Sequence, residues 1–253
     1  STEVIKLSIS LIPSRGIYTK QLLETDFCTM RFTENFTRFF DRTFISDSCS
    51  CRLRKGTLKA LNRFRKFSQK ANRSNRKTCW VLKCDIRKFF ASIDHQTLTN
   101  ILRRYIASSD TLWLLDRVVG SFCSTKKDTG LPLGNLTSQL LVNIFMNEFD
   151  QFMKHNLKAK YYIRYADDFV VLSRNREWLE EVLAKIKEFL YGKLRLELHP
   201  NKVSIETLAS GVDFLGWVNF SDHRVLRTAT KRRMFGNIQQ KEGRKEVVIS
   251  YLG

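Results

Sequence analysis

Three aspartates carry the chemistry that this sequence advertises. Asp167 and Asp168 are adjacent at the centre of YIRYADDFVVLS, residues 162–173, with an apolar stretch on either side. Asp85 closes an apolar run of strand length that begins at Cys79. An Asp pair on its own reads as a turn, because Asp bonds readily to its own backbone there. If the end of the first strand lies beside the tip of a later hairpin, the three carboxylates converge. Carboxylates gathered in a partly dry pocket repel one another unless cations neutralise them. Magnesium suits that task, being hard, oxygen-liganded and commonly shared with substrate phosphates. Two such ions, with manganese as the substitute, clamp the attacking and leaving oxygens of an in-line phosphoryl displacement.

The elements that would position these residues are legible along the chain. YYIRY and FVVLS are short β-rich runs flanking Ala166-Asp167-Asp168, which predicts a hairpin. His95 to Tyr105 reads as a helix, and His95 is taken as structural, with no evident partner. Ser138 to Leu157 carries apolar residues at helical period, with Ser138 as its cap. Glu177 to Leu190 is an amphipathic helix through Leu179, Val182, Leu183, Ile186 and Leu190. Short strands are expected near Val203–Glu206 and around Phe214–Trp217, and the basic segment from Thr228 onward is expected to be helical in part. The order strand, helix, helix, hairpin, helix, strand predicts an α+β fold built on a split βαβ antiparallel sheet with helices on one face.

Composition narrows the partner. The 253 residues include 44 Lys and Arg against 25 Asp and Glu, a net charge of +19, with 43% apolar residues. That much apolar content excludes disorder as the default, and that much positive charge points to a polyanion. From Arg52 to Lys77 there are eleven Lys or Arg residues and no acid, beside Phe64 and Phe67. A solvated helix mixes its signs, so this run is expected to track phosphates, through Arg54, Lys55, Arg63 and Arg65 among others. No apolar run approaches a bilayer span, and STEVIKLSIS lacks the layout of a signal peptide, so no membrane partner is expected. The six cysteines form no C-x-x-C pair and the four histidines do not cluster with them, which favours free thiols in a reducing cytoplasm over a zinc site.

Four motifs in series resemble those of reverse transcriptases. Asp85 with Phe89-Phe90 resembles the first palm motif, and Tyr165-Ala166-Asp167-Asp168 the catalytic box. Leu198-His199-Pro200-Asn201-Lys202 is similar to the lysine motif, and Phe214-Leu215-Gly216-Trp217 to the primer-grip hairpin. The resemblance implies a right-hand polymerase, with fingers over 1–78, a ferredoxin-like palm over 79–218 and an incomplete thumb over 219–253. It implies metal ligation by Asp85, Asp167, Asp168 and the backbone carbonyl of Ile86, and a proton from Lys202 to departing pyrophosphate. Phe90 would lie under the sugar of the incoming nucleotide and exclude a 2′-hydroxyl, while Phe89 is a core residue. Leu133, Gly134, Gln139 and Arg52 would contact the nucleotide. Tyr165, Phe214, Leu215 and Gly216 would contact primer and template. The implied partners are an RNA template, a DNA or RNA primer, dNTPs and an accessory protein of the element.

One stretch narrows the subgroup. GLPLGNLTSQ, residues 130–139, stands where most relatives carry Q-G-x-x-x-S-P, with Leu133 for the Gln and Gln139 for the Pro. That variant, and FISDSCSCRLRKGTLKAL over 44–61, are similar to the enzymes of diversity-generating retroelements, which copy a template RNA with errors at adenines. Such elements are bacterial, archaeal or phage-encoded. Residues 1–21 depart from the family, offering Lys6, Arg15 and Lys20 but no match to the basic pair that grips the triphosphate. The N-terminal part therefore reads as divergent or truncated. Two alternatives stay open: a catalytically weak RNA-binding derivative, and a group II intron-type enzyme.

Overall fold

The computed structural model describes residues 36–122, 124, 126–132 and 136–240. In chain order the main elements are α1 (Thr57–Ala71), β1 (Trp80–Asp85), α2 (His95–Tyr105), α3 (Ser109–Gly120) and α4 (Leu136–Gln151). They continue with β2 (Tyr161–Tyr165), β3 (Asp168–Ser173), α5 (Arg176–Phe189) and β4 (Ser204–Thr207). The last are β5 (Val212–Phe214), β6 (Trp217–Asn219), β7 (Arg224–Leu226) and α6 (Thr228–Gln240). They divide into two compact units, one of residues 1–45, 87–152 and 187–197, the other of 46–86, 153–186 and 198–253.

The second unit holds both sheets. Its four strands are ordered β2-β3-β1-β4, all antiparallel, which is the split βαβ order the sequence predicts. β1 and β3 lie in the middle and are apolar on both faces. Val81, Val170, Leu172 and Ile163 pack on one side with Phe64, Phe67, Leu61 and Ala71 of α1. Leu82, Cys84, Phe169 and Val171 alternate to the other side and are also buried. The second sheet, β5-β6-β7, adds Val212 and Phe214 to the α1 core. α5 buries Leu179, Val182 and Ile186, the i, i+3, i+7 stripe of its sequence.

The first unit is helical. Asp94 caps α2 by accepting from the Thr97 amide, and Ser108 caps α3 through the Thr111 amide. His95 does have a partner, its Nε2 lying 2.7 Å from the Gly130 carbonyl, so the loop before α4 is tied to the start of α2.

One expectation needs revision. The helix foreseen over 138–157 ends at Gln151 and widens into a π turn, Phe152–Asn156, closed by the Ala159 amide on the Met153 carbonyl at 2.9 Å. The strands expected around Phe214–Trp217 are β5 and β6, which form a hairpin whose turn residues Leu215 (φ 52°) and Gly216 (φ 81°) are both left-handed. The helix α3 has no counterpart among the elements read from sequence. Among the described residues no helix is long and apolar enough to cross a membrane.

Candidate active site

Register brings the aspartates together. Asp85, the last residue of β1, pairs directly with Asp168, the first of β3. Facing residues of an antiparallel pair point to the same side, about 5 Å apart at Cβ. Tyr165 pairs with Asp168 from the other flank, leaving Ala166 and Asp167 as a two-residue turn. Ala166 holds φ at 54°, a conformation that an L side chain resists. The Ile86 amide donates to the Asp167 carbonyl at 3.2 Å, which knits the end of β1 to that turn.

The electrostatics are those of acids held where they do not want to ionise. Burial pushes the Asp168 carboxyl up to about 7; Lys83 opposes this, while Asp85, Asp167 and Asp213 add to it. Burial likewise raises Asp167, with Asp85 repelling its charge and Lys202 and Arg164 favouring it. Asp168 Oδ1 is sealed from solvent and has no hydrogen-bond partner. Among the described residues no three acid, histidine or cysteine side chains form a ready-made ligand set. The donor chemistry nevertheless fits a divalent cation: hard oxygens, mutual repulsion and an orphaned buried carboxylate oxygen.

Lys202 is the cation that does reach this cluster. Its Nζ lies 3.0 Å from Asp85 Oδ2, and the segment before it is anchored to the same strand. Leu198 bridges Ile86, the His199 amide donates to the Asp85 carbonyl at 2.8 Å, and the Lys202 amide donates to the His199 carbonyl at 3.1 Å.

A residue that sequence reading passed over sits behind the turn. Arg164 is fully buried, at 0% exposure, on the face of β2 opposite to Tyr165. Its guanidinium donates to the strained Ala166 carbonyl at 3.1 Å and to Ser48 Oγ at 3.0 Å. Its backbone bridges Ser48 in parallel, accepting from the Cys49 amide while its own amide donates to the Asp47 carbonyl. Asp47, itself buried, receives Arg63 at 2.6 Å and Lys154 at 3.2 Å. The residues 46–50 are thus clamped along the β2–β3 hairpin. The only signal in the sequence is a charged residue inside a run that must otherwise be buried.

The other singled-out residues fall into several places. Tyr165 accepts from Thr57 Oγ1 at 3.2 Å, tying the hairpin to the start of α1. Arg52 and Lys55 donate to the Ser48 and Ser46 carbonyls, Arg63 is engaged by Asp47, and Arg54 and Arg65 are exposed. Phe214 is a core anchor, 0% exposed and 5.7 Å from the Phe64 ring, so the turn at Leu215–Gly216 is what its hairpin presents. The Ile86 side chain is buried. Phe89, Phe90 and Gln139 belong to the first unit; Phe89 is buried, Phe90 and Gln139 half-buried, and the two rings meet edge-on at 5.5 Å. Leu133, Gly134 and Asn135 lie outside the described residues, as do residues 1–35 and 241–253.

Comparison with known proteins decides the family. The family described as "Reverse transcriptase (RNA-dependent DNA polymerase)" matches residues 19–219. The chain belongs to the reverse transcriptases. Protein YkfC of Escherichia coli (strain K12) is 27% identical over 199 residues, covering 63% of this chain and 49% of that protein. The group II intron-encoded protein LtrA of Lactococcus lactis subsp. cremoris is 24% identical over 224 residues, covering 61% and 36%. The chain therefore spans less than half the length of these curated relatives. Among solved structures, apo telomerase from Candida tropicalis, truncated from its C-terminal domain, aligns with a TM-score of 0.62 at 13% identity. That alignment covers 85% of this chain and 49% of that one, and it supports the α+β polymerase fold.

Proposed function

We propose that this reverse transcriptase chain copies RNA into DNA at the Asp85–Asp168 pair. The observation that carries this reading is the register itself, which sets Asp85 and Asp168 face to face with Asp167 on the turn between them and Lys202 against Asp85. Asp85, Asp167, Asp168 and the Ile86 carbonyl would hold two magnesium ions, or manganese in their place. When bound, such ions supply charge neutralisation at the attacking and leaving oxygens.

The chain's own groups do the rest. Lys202 keeps a proton at Nζ beside Asp85 and donates it to the pyrophosphate as that leaves. Arg164 fixes the turn on which Asp167 sits. Phe90 excludes a ribose 2′-hydroxyl. Arg52, Arg54 and Lys55 at the start of α1 take nucleotide and template phosphates. Residues 1–78 serve as fingers, 79–218 as palm and 219–253 in the thumb. The substitutions at Leu133 and Gln139 support placement among diversity-generating retroelements; the likeness to the intron-encoded LtrA favours a second reading, an intron-type enzyme.

Primer extension on an RNA template, with the cDNA sequenced, tests both readings. Extension requiring Mg²⁺ or Mn²⁺, and lost in Asp85→Asn and Asp167→Asn while RNA binding persists, is expected. Extension near the parent level in either variant overturns the assignment. Errors concentrated at template adenines identify the retroelement type, and evenly spread errors the intron type.

A further inference from the structure

We infer that the end of the four-stranded sheet remote from the aspartates is a second site for single-stranded RNA, which goes beyond the polymerase reading. The basic run 52–77 extends along α1, whose 15 residues separate its ends by about 22 Å, at 1.5 Å per residue. Arg52 to Lys55 stay beside the β2–β3 hairpin, whereas Arg73, Arg76 and Lys77 follow the other end of the helix. There they meet the far ends of the strands, about 17 Å along β1 from Asp85.

Two clefts of about 280 Å³ each flank the C-terminus of α1. One is lined by Arg76 and Lys77, the other by Lys158, Lys160 and Arg174, and neither lining contains an Asp or Glu. Among the described residues none of these five, nor Arg73, forms an ion pair. Four basic groups elsewhere in this unit pair instead: Arg63 and Lys154 with Asp47, Lys202 with Asp85 and Arg227 with Asp213. A helix dipole accounts for a cation or two at a C-terminus. It does not account for Lys158, Lys160 and Arg174, which arrive from other segments.

The loop that presents Arg73 and Arg76 is built and strained. Arg73, Ser74 and Asn75 are consecutive left-handed residues, at φ 52°, 54° and 69°. Asn72, 2% exposed, holds them by accepting from the Asn75 amide and donating to Asn75 Oδ1, while its carbonyl accepts from the Arg76 and Lys77 amides. Backbone kept in such a conformation is over-determined by its surroundings and collects at ligand sites.

The chemistry selects RNA among polyanions. Trp178, half-buried, lines the second cleft and offers a face on which a base stacks. An anionic membrane would call for exposed apolar side chains to insert. The exposed large ones among the described residues are Leu53, Leu58, Leu136, Tyr191, Val225 and Phe235, none of which lines either cleft.

The test compares Arg76→Gln/Lys158→Gln/Arg174→Gln with Lys185→Gln/Lys187→Gln/Lys193→Gln, which removes equal charge from exposed residues elsewhere. Binding of the full chain to an RNA of about 40 nucleotides, long enough to reach past one binding groove, is titrated across salt concentrations. Three lost phosphate contacts lower the log–log salt slope by about 2 and weaken binding about tenfold or more at moderate salt. The control triple should leave the slope near the parent value, and both triples should extend a short primer–template at the parent rate. The inference is overturned if the two triples share one slope, or if only binding to phosphatidylserine-containing vesicles is lost. The binding readout needs no catalysis, so it fails or succeeds separately from the polymerase reading.

Discussion

Replacing Asp168 by Asn should make the protein more stable, and by an amount that grows with pH. In the folded chain the Asp168 carboxyl is raised from 3.8 to about 7, chiefly by burial. A raised carboxyl binds its proton more tightly folded than unfolded, so its contribution is complete below the unfolded value. It is lost as pH climbs through the folded one. Between pH 5 and pH 7 the unfolded side chain is ionised and the folded one is still protonated, which costs about 1.4 kcal/mol per pH unit, or about 3 kcal/mol in all. Asn is neutral throughout and escapes that loss. Removing the Asp168 charge also relieves Asp167, which widens the gap. At roughly 2 °C per kcal/mol for a chain of this size, the difference in Tm between variant and parent should grow by about 6 °C from pH 5 to pH 8. The assay is thermal unfolding with a chelator present, repeated with Mg²⁺. Magnesium should restore the parent at pH 8 and leave the variant unmoved. A Tm difference that stays constant with pH, or a variant less stable than the parent at pH 8, would refute the electrostatic account of this centre.

Two further outcomes follow from the packing. Phe90→Val should raise ribonucleotide use relative to deoxyribonucleotide in extension assays, whereas Phe89→Ala should lower stability by about 3–5 kcal/mol; reversed effects would mean that Phe89, and not Phe90, of the short helix Phe89–Ser92 meets the sugar. Arg164→Gln leaves the Ala166 carbonyl and Ser48 without their buried charged donor, so stability should fall by about 3 kcal/mol and kcat with it, RNA affinity being kept; lost affinity at an unchanged kcat would disprove the positioning role.

The β2–β3 hairpin was legible because its signals are local. Ala166 and Asp167 interrupt two apolar runs, and the observed turn occupies those two positions. α2 and α5 likewise follow their apolar periods, since each buries one stripe. Arg164 was not legible, because what makes it tolerable in a buried strand is Ser48, 116 positions away in sequence. Charge along a sequence does not show which end of α1 each basic residue reaches, so the far cluster of Arg73, Arg76 and Lys77 was not legible. α3 was overlooked even though Ser108 caps it and Leu115 and Val119 share its buried side. The turn at Leu215–Gly216 was legible from the motif that it resembles, although a Leu at positive φ is not what hairpin rules alone lead one to expect.

The pairing order of the sheet also bears on how the centre comes into being. β1 sits between β3 and β4, partners that follow it by more than eighty residues, and it shares no ladder with anything nearer. Contacts so distant in sequence make a slow, high-contact-order nucleus, since the loops must close before any of the strands is rewarded. On a ribosome, β1 therefore waits with an unsatisfied edge until β3 has emerged, and the lysine at 202 arrives later still. The basic helix α1 precedes all of them. A nascent chain thus exposes its basic helix well before its three aspartates are assembled.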